Sequence, residues 1–292
     1  MFSIHQLRTF LEVARAGTVH GAAEKLVVSQ PAVSSALAGL QRELGVELVA
    51  RQGRGITITP AGREVERDGR RVLALLGEIE RRAHSTMPGS GRLLLATVTT
   101  AAEHLLAIML GGFRSQVPQV EADLEVANRE RVWDALTHWE ADIALAGRPP
   151  QDRDFRTLAT SPNELVVVAS PEEALRVGAL GEATWLVRER GSGTRVATEE
   201  LFATLDIAPP RLTIGSNGAI RECLRVSLGI SLLSRDAIVR ELSEGALVIV
   251  PTPATPISRP WHLVASGERE LSSAANRFVE YAISASSFSR VP

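Results

Sequence analysis

The stretch that decides the fold of this chain is Val27-Val28-Ser29-Gln30-Pro31-Ala32-Val33-Ser34-Ser35-Ala36-Leu37-Ala38-Gly39-Leu40. Ser29 is a favourable N-cap residue, and Pro31 lies just inside the helix start, where its missing N–H costs nothing. The apolar residues have the i, i+3, i+4, i+7 spacing of one helix face: Val33, Ala36, Leu37, Leu40 and Leu44. The pattern predicts a short turn that leads into a helix with one buried side.

The opposite face of this helix carries no charge, although the chain is rich in Arg and Glu. Its residues are short and polar or small: Gln30, Pro31, Ser34, Ser35 and Ala38. Gln and Ser at a helix N-terminus can both donate and accept hydrogen bonds, which suits base edges in a DNA groove. Taken alone, the helix is equally compatible with an ordinary surface helix of low charge.

Two shorter helices are predicted before this one. Ser3 can cap the first, which ends where Gly17 offers a C′ glycine. Thr18 can cap the second, and the third helix stops at Gly45. Two short helices, a tight turn and a helix with a polar outer face are typical of a helix-turn-helix.

A β-hairpin, or wing, is predicted after the third helix. Residues 46–51 and 56–59 are short β-rich runs around the tip Gln52-Gly53-Arg54-Gly55. An Arg on a thin projection suits a narrow, negative minor groove. The alternative is a loop tip with a solvated Arg54.

These residues resemble the winged helix-turn-helix of LysR-type transcriptional regulators. The resemblance is carried by Phe10, Ala22-Ala23, Leu26, Ser29-Gln30-Pro31-Ala32-Val33-Ser34, Leu40, Leu44-Gly45, Leu48, Arg51, Arg54 and Thr59-Pro60-Ala61-Gly62. It implies a DNA-binding set of Gln30, Pro31, Ser34 and Ser35 in the major groove, Arg54 on the wing, and Thr18 and Ser29 at the helix starts. The chain departs from the family at Ser35, where Arg is frequent, and at His20, where a small hydroxyl residue is frequent.

A linker helix is predicted over residues 61–88. Its apolar residues are spaced 4, 3, 4, 3, 4, as in a coiled-coil seam: Val65, Gly69, Val72, Leu76, Ile79 and Ala83. The flanks are rich in Arg and Glu, so the seam needs a partner. We expect Val65, Val72, Leu76 and Ile79 to pair two subunits; packing against the helix's own domain is the alternative. Tetramers follow from the family resemblance.

Strand-like and helical runs alternate from residue 91 onward, which predicts parallel sheets with helices on both faces. Two such sets predict two lobes, and a return of the late strand and last helix to the first lobe would leave a cleft between them. LysR-type regulators have such a periplasmic-binding-protein-like effector domain.

The predicted fold class is α+β multidomain: a winged helix-turn-helix domain over 1–60, a linker helix and hinge over 61–88, and a two-lobed α/β effector domain over 89–292. Lobe I is placed at about 89–163 and 267–292, and lobe II at about 164–266. The segments around residues 190–195, 215–221 and 256–262 look most like the branch with regulators of carbon fixation and sulfur metabolism.

Polar side chains follow several predicted strands, at the edge where open α/β sheets bind ligands. They are Thr99, Thr100, Arg129, Arg148, Ser192, Thr194, Arg195 and Asn217. Hydroxyls, backbone N–H groups and guanidiniums together form an anion site. We therefore expect a small anionic metabolite between the lobes; a structural capping loop with solvated arginines is the alternative.

Composition narrows the class of protein. Residues 1–90 carry 12 Lys and Arg against 9 Asp and Glu, a net of +3, and residues 91–292 carry 20 against 25, a net of −5. The single Cys223 allows no internal disulfide, which fits a reducing cytoplasm. We see no metal-ligand cluster, cofactor motif, catalytic motif, signal peptide or membrane-spanning run.

The expected partners are double-stranded promoter DNA, an anionic metabolite, a second copy of the chain and RNA polymerase, with no membrane. The alternative function is an α/β ligand-binding or catalytic protein whose first 60 residues mediate protein contacts.

Overall fold

A computed structural model describes residues 1–52, 55–84 and 91–291 of the chain. The chain divides into two compact units, and the boundary between them in the sequence lies near residue 86. The elements of the N-terminal unit are α1 (Ile4–Ala16), α2 (Val19–Leu26), α3 (Gln30–Leu44), β1 (Val49–Gln52), β2 (Gly55–Ile58) and α4 (Pro60–His84). In the part of the chain described, no helix is long and apolar enough to cross a membrane.

The helices of the N-terminal unit begin and end where the capping residues predict. Ser3 Oγ accepts from the Gln6 N–H at 3.2 Å and Gln6 Oε1 accepts from the Ser3 N–H at 2.7 Å, which is a capping box. Gly17 and Gly45 end α1 and α3 with φ of +67° and +71°, where a side chain would be strained. The core of the unit consists of buried apolar residues from α1, α2, α3 and the segment just before β1: Leu7, Phe10, Leu11, Val13, Ala22, Ala23, Val33, Leu37, Leu40 and Leu48.

The first half of α4 packs on its own unit, which corrects the expectation for Val65. Val65 and Leu73 pack against the core just described. A Cβ on Gly69 would lie only 2.8 Å from Leu7 Cδ1, so the glycine allows α4 to lie close to α1. Val65 and Gly69, at the start of the seam, therefore pack within one chain. The heptad-like spacing could not reveal this, because it suits an intramolecular neighbour as well as a second subunit.

The described part of the C-terminal unit has a six-stranded, a four-stranded and a two-stranded sheet with surrounding helices. Its elements are β3 (Gly91–Val98), α5 (Thr99–Ala101), a π-helical turn (Ala102–Leu106), α6 (Ala107–Gln116), β4 (Val120–Ala127), α7 (Arg129–Thr137), β5 (Ile143–Ala146), β6 (Phe155–Ser161), β7 (Glu164–Ala169), α8 (Pro171–Arg176), β8 (Trp185–Arg188), α9 (Gly193–Leu205), β9 (Arg211–Ile214), α10 (Asn217–Arg225), β10 (Ser231–Ser234), a 3₁₀ turn (Arg235–Ile238), α11 (Val239–Ser243), β11 (Val248–Ile249), β12 (Ile257–Ser258), β13 (Trp261–Ser266), α12 (Ser273–Ala285) and β14 (Ser289–Arg290).

Strand directions are mixed, whereas repeated βα patterning predicts parallel sheets. The first sheet has the order β14-β6-β13-β5-β3-β4, in which β3 is parallel to β4 and β5. In the same sheet, β13 is antiparallel to both β5 and β6. In the second lobe β8 is parallel to β9, but β10, β11 and β12 are antiparallel to β7. Periodicity reveals burial and not strand direction, so it could not distinguish these cases.

The strand β13 belongs to lobe I, which corrects the predicted end of lobe II at residue 266. Its hydrogen bonds to β5 and β6 place residues 261–266 inside the first sheet. The chain therefore crosses between the lobes twice, once between β6 and β7 and once between β12 and β13. Lobe I contains residues 91–161 and 261–291, and lobe II contains residues 164–258.

We predict that Gly62→Ala destabilises the N-terminal unit by about 1–3 kcal/mol or more, because overpacking against rigid backbone is unfavourable. A Cβ at this position would overlap the carbonyl oxygen of Leu48. Hydrogen exchange of peptides covering residues 1–84 in the full chain measures the effect. Gly111→Ala in α6 is the matched control, since nothing lies within 4 Å of its added Cβ. Equal protection in Gly62→Ala and the wild type would contradict the close approach.

Candidate functional sites: a helix face and an inter-lobe cleft

The predicted outer face of α3 is exposed. Gln30, Pro31, Ser34 and Ser35 are exposed, while the apolar stripe of the helix is buried. Ser29 Oγ accepts from the Ala32 N–H at 3.3 Å and caps the helix. The first turn of α3 therefore presents short polar groups without a charge, and a second macromolecule can reach them.

Gln30 is held by a residue that sequence reasoning left out of the site. Gln30 Nε2 lies 3.0 Å from His20 Nδ1, and His20 Nε2 lies 3.4 Å from Glu24 Oε1. The sequence signal for this contact is His20 itself, which stands where the family frequently has a small hydroxyl residue. Its consequence was hidden because positions 20 and 30 lie on different helices, and only the packing of α2 on α3 brings them together.

The other predicted DNA-binding residues are at helix starts and at the hairpin tip. Thr18 Oγ1 accepts from the Gly21 N–H at 3.0 Å and caps α2. The hairpin is tied to the end of α1, since the Ile56 N–H donates to the Gly17 carbonyl at 2.9 Å. Arg54 lies outside the described residues, so its wing contact stays a prediction.

The second half of α4 carries an exposed apolar stripe. Val72, Leu75 and Ile79 are 45%, 48% and 56% exposed. Their spacing of three and four residues places them on one side of the helix. The predicted residue Leu76 lies beside them and is half-buried.

A cleft lies between the two lobes. Five of the predicted effector residues line it: Thr99, Thr100, Arg129, Ser192 and Thr194. They come from the carboxyl ends of β3 and β4 and from the start of α9. The cleft also has residues outside the predicted effector set: Val98, Ala127, Asn128, Gly147, Asn163, Leu165, Arg188, Gly193, Arg259 and Trp261.

Three arginines line the cleft, and two of them are paired with carboxylates: Arg188 with Glu189 and Arg259 with Glu200. Arg129 Nη2 donates to the Arg148 carbonyl at 3.0 Å, and Arg259 Nη1 donates to Glu200 at 3.1 Å. Burial, together with the charge of Arg259, lowers the pKa of Arg129 from its ordinary value. The Arg129 guanidinium is thus held where its charge is disfavoured, and a bound anion would relieve that cost.

Three predicted effector residues do not line the cleft. The Arg195 guanidinium donates to Glu199 and to the Arg188 carbonyl, each at 2.8 Å, so it is neutralised away from the cleft. Arg148 contributes the carbonyl that Arg129 binds. Asn217 accepts from Arg188 Nη1 at 2.8 Å and donates to Thr100 Oγ1, so it joins the two lobes behind the cleft. Position after a strand indicated these residues but could not give the direction of a long side chain.

A second cluster joins the lobes outside the cleft. Arg221 Nη1 on α10 lies 2.8 Å from His104 Nε2 on the π-helical turn and also donates to the Ala237 carbonyl at 2.8 Å. Glu103 and Glu241 lie 3.8 Å and 3.4 Å from the same guanidinium. Because Arg221 can only donate, His104 accepts this bond in its neutral form.

The two units together define a class of protein: a helix-turn-helix unit joined to a two-lobed α/β unit with a cleft between its lobes. Residues 4–63 match the bacterial regulatory helix-turn-helix protein of the lysR family, and residues 88–287 match the LysR substrate binding domain. The chain belongs to the LysR family of transcriptional regulators.

Relatives agree with this assignment. The chain is 35% identical over 293 residues to the RuBisCO operon transcriptional regulator of Allochromatium vinosum, covering 97% of this chain and 96% of that protein. It is 31% identical to the regulatory domain of Synechocystis PCC6803 CcmR, solved in complex with 2-PG, with a TM-score of 0.61 over 65% of this chain and 94% of that one. Full-length CbnR in complex with its target DNA has a TM-score of 0.66 over 96% of this chain and 98% of that one; at 21% identity it supports the fold alone. The predicted likeness to carbon-fixation regulators is confirmed, and the curated relatives bear the names of transcriptional regulators, not of enzymes.

We predict that acidification weakens the C-terminal unit through His104 and His262. Burial is the main cause that lowers the pKa of both residues below the ordinary value of 6.5. The charge of Arg221 also lowers the pKa of His104, and the charge of Arg148 also lowers the pKa of His262. As the pH falls through 6.5, these two histidines bind protons in the unfolded chain before they do so in the folded chain. Their contribution to stability is therefore complete above pH 6.5 and is lost as the pH falls further. The Tm should therefore drop less in His104→Gln than in the wild type between pH 7.5 and about pH 5.

The exposed His5→Gln on α1 is the control for this pH series and should follow the wild type. The comparison between variants removes the contribution of the carboxylates, which titrate in all of them. Parallel pH profiles of His104→Gln and the wild type would contradict a depressed pKa at His104.

Proposed function

We propose that this LysR-type regulator binds promoter DNA as a dimer of dimers through the outer face of α3, and that a small anionic metabolite in the inter-lobe cleft changes that binding. The observation that carries the effector proposal is the Arg129 guanidinium at the cleft, which donates to a backbone carbonyl and whose charge is disfavoured by burial and by Arg259. RNA polymerase at the promoter is the further partner that the family resemblance implies.

The neighbours of the two arginines favour an anion as well. Ser192 is buried at the start of α9 and, among the described residues, its hydroxyl makes no capping bond. The positive end of the helix dipole and a hydroxyl are thus available at the cleft. Trp261 also lines the cleft, and within the described ranges its buried indole N–H has no hydrogen-bond partner. The 2-PG held by the related CcmR domain is consistent with a small effector at this domain.

A ligand between the lobes has a physical route to the DNA-binding unit. It changes an equilibrium only if it binds one lobe arrangement better than another. Thr99 and Thr100 line the cleft from lobe I, and Ser192 and Thr194 line it from lobe II. An arrangement that brings both sets onto one anion makes contacts that a wider cleft lacks.

We predict that Arg129→Gln abolishes the response to the effector without destabilising the unliganded protein. Burial and Arg259 disfavour the charge at position 129, so a neutral side chain removes a repulsion there. A thermal-shift screen of phosphate- and carboxylate-bearing metabolites would find the ligand. At 100 times its Kd, an effector should stabilise the wild type by about 2.7 kcal/mol, and this gain should vanish in Arg129→Gln.

Arg195→Ala is the informative control, since its guanidinium is paired with Glu199 away from the cleft. It should retain the ligand-induced shift, and the exposed Arg240→Ala should do the same. A ligand without negative charge, or one whose shift survives in Arg129→Gln, would contradict the anionic effector.

We predict that Gln30→Ala lowers the affinity for the specific site by about 1–3 kcal/mol and leaves binding to random DNA nearly unchanged, because base contacts carry specificity and phosphate contacts do not. Quantitative gel shifts on both DNAs at one salt concentration measure this. An equal loss on specific and random DNA would argue against base readout by α3.

We predict that Ile79→Glu shifts the protein toward monomer in light scattering. The stripe of Val72, Leu75 and Ile79 would become the subunit contact, and a carboxylate there would be buried without a partner. Arg67→Glu places the same carboxylate on a charged side of α4 and should leave the mass unchanged. An unchanged mass for Ile79→Glu would move the dimer contact elsewhere.

A further inference from the structure

The contact between His20 and Gln30 limits what Gln30 can offer to DNA. A Gln amide has two N–H donors and one carbonyl acceptor. Gln30 Nε2 lies 3.0 Å from His20 Nδ1, which is close enough for one of its two N–H groups to be used. The second N–H donor and the carbonyl acceptor of Gln30 remain available to a base of the DNA.

Glu24 supports this direction of the hydrogen bond. Its Oε1 lies 3.4 Å from His20 Nε2, one turn along α2. A carboxylate at that nitrogen favours the tautomer with the proton on Nε2, and Nδ1 is then the acceptor. The three side chains form a chain from Glu24 through His20 to Gln30, and all three are exposed on the α2–α3 surface.

We infer that His20 is a specificity-determining residue that makes Gln30 an adenine reader and rejects guanine. Adenine presents one acceptor, N7, and one donor, the N6 amino group, in the major groove. Guanine presents two acceptors, N7 and O6, which call for two donors. Gln30 with one N–H already bound to His20 matches adenine and lacks the second donor for guanine.

This inference rests on the proposed base readout by α3, and the experiment separates the two. Wild-type protein first selects its site from a randomised DNA duplex pool, and Gln30→Ala then identifies the base pair that loses discrimination. Affinity is measured for duplexes with A or G at that position in both half-sites. His20→Ala and His20→Phe are the test variants; Phe keeps a ring but has no acceptor. His5→Ala, an exposed histidine on α1, is the matched control.

We expect the wild type and His5→Ala to prefer A over G by about tenfold or more, in the range of one bidentate base contact. Both His20 variants should lose most of this ratio through tighter binding to the G duplex, with the other positions of the site unchanged. A ratio that stays at the wild-type value in both variants would overturn the inference, as would a uniform loss of affinity on both duplexes. If Gln30→Ala changes no position, the base readout itself fails and the inference falls with it.

Discussion

Two hydrogen bonds join the two segments at which the chain crosses between the lobes of the C-terminal unit. Asn163 Nδ2 donates to the Arg259 carbonyl and the Arg259 N–H donates to the Asn163 carbonyl, each at 2.8 Å. Ser234 Oγ donates to Asn163 Oδ1 at 2.5 Å, so the amide is satisfied on both sides. The two connections between the lobes are thus joined to each other, and any change in lobe arrangement has to bend or twist this pair. Because Asn163 and Arg259 also line the cleft, a ligand would touch the connection itself.

The charges around this connection explain why the cleft differs from the rest of the surface. Many arginines among the described residues are paired with carboxylates, as Arg195 is with Glu199. Arg129 instead donates to a backbone carbonyl and lies near the charge of Arg259, which opposes its own. A partly buried charge next to a like charge is unfavourable, and an anion at the same place would offset this, which supports the binding site proposed above.

In the DNA-binding unit, the residues that pack in the core differ from those that we propose to contact DNA or a second subunit. One face of α3 is buried in the core, and the exposed residues of its first turns, from Gln30 to Ala38, carry no charge. The first half of α4 packs within the unit through Gly69, while Val72 and Ile79 are exposed in the part of α4 where we propose the subunit contact. The same helix can therefore stabilise the unit at one end and offer a subunit contact at the other.

The sequence by itself determined the local features of this protein. Ser3, Thr18 and Ser29 begin helices and Gly17 and Gly45 end them, because caps are satisfied by groups within a few residues. The helix-turn-helix, the linker helix, the alternation of strands and helices and the family all followed from such short-range patterns.

Only the tertiary structure decided which distant groups meet. It made β13 antiparallel within the first sheet, turned Arg195 toward Glu199 and brought Arg259 to the cleft. It also paired His20 with Gln30. Strand direction and the partner of a long side chain depend on elements far apart in the chain, so neither residue spacing nor periodicity contains that information.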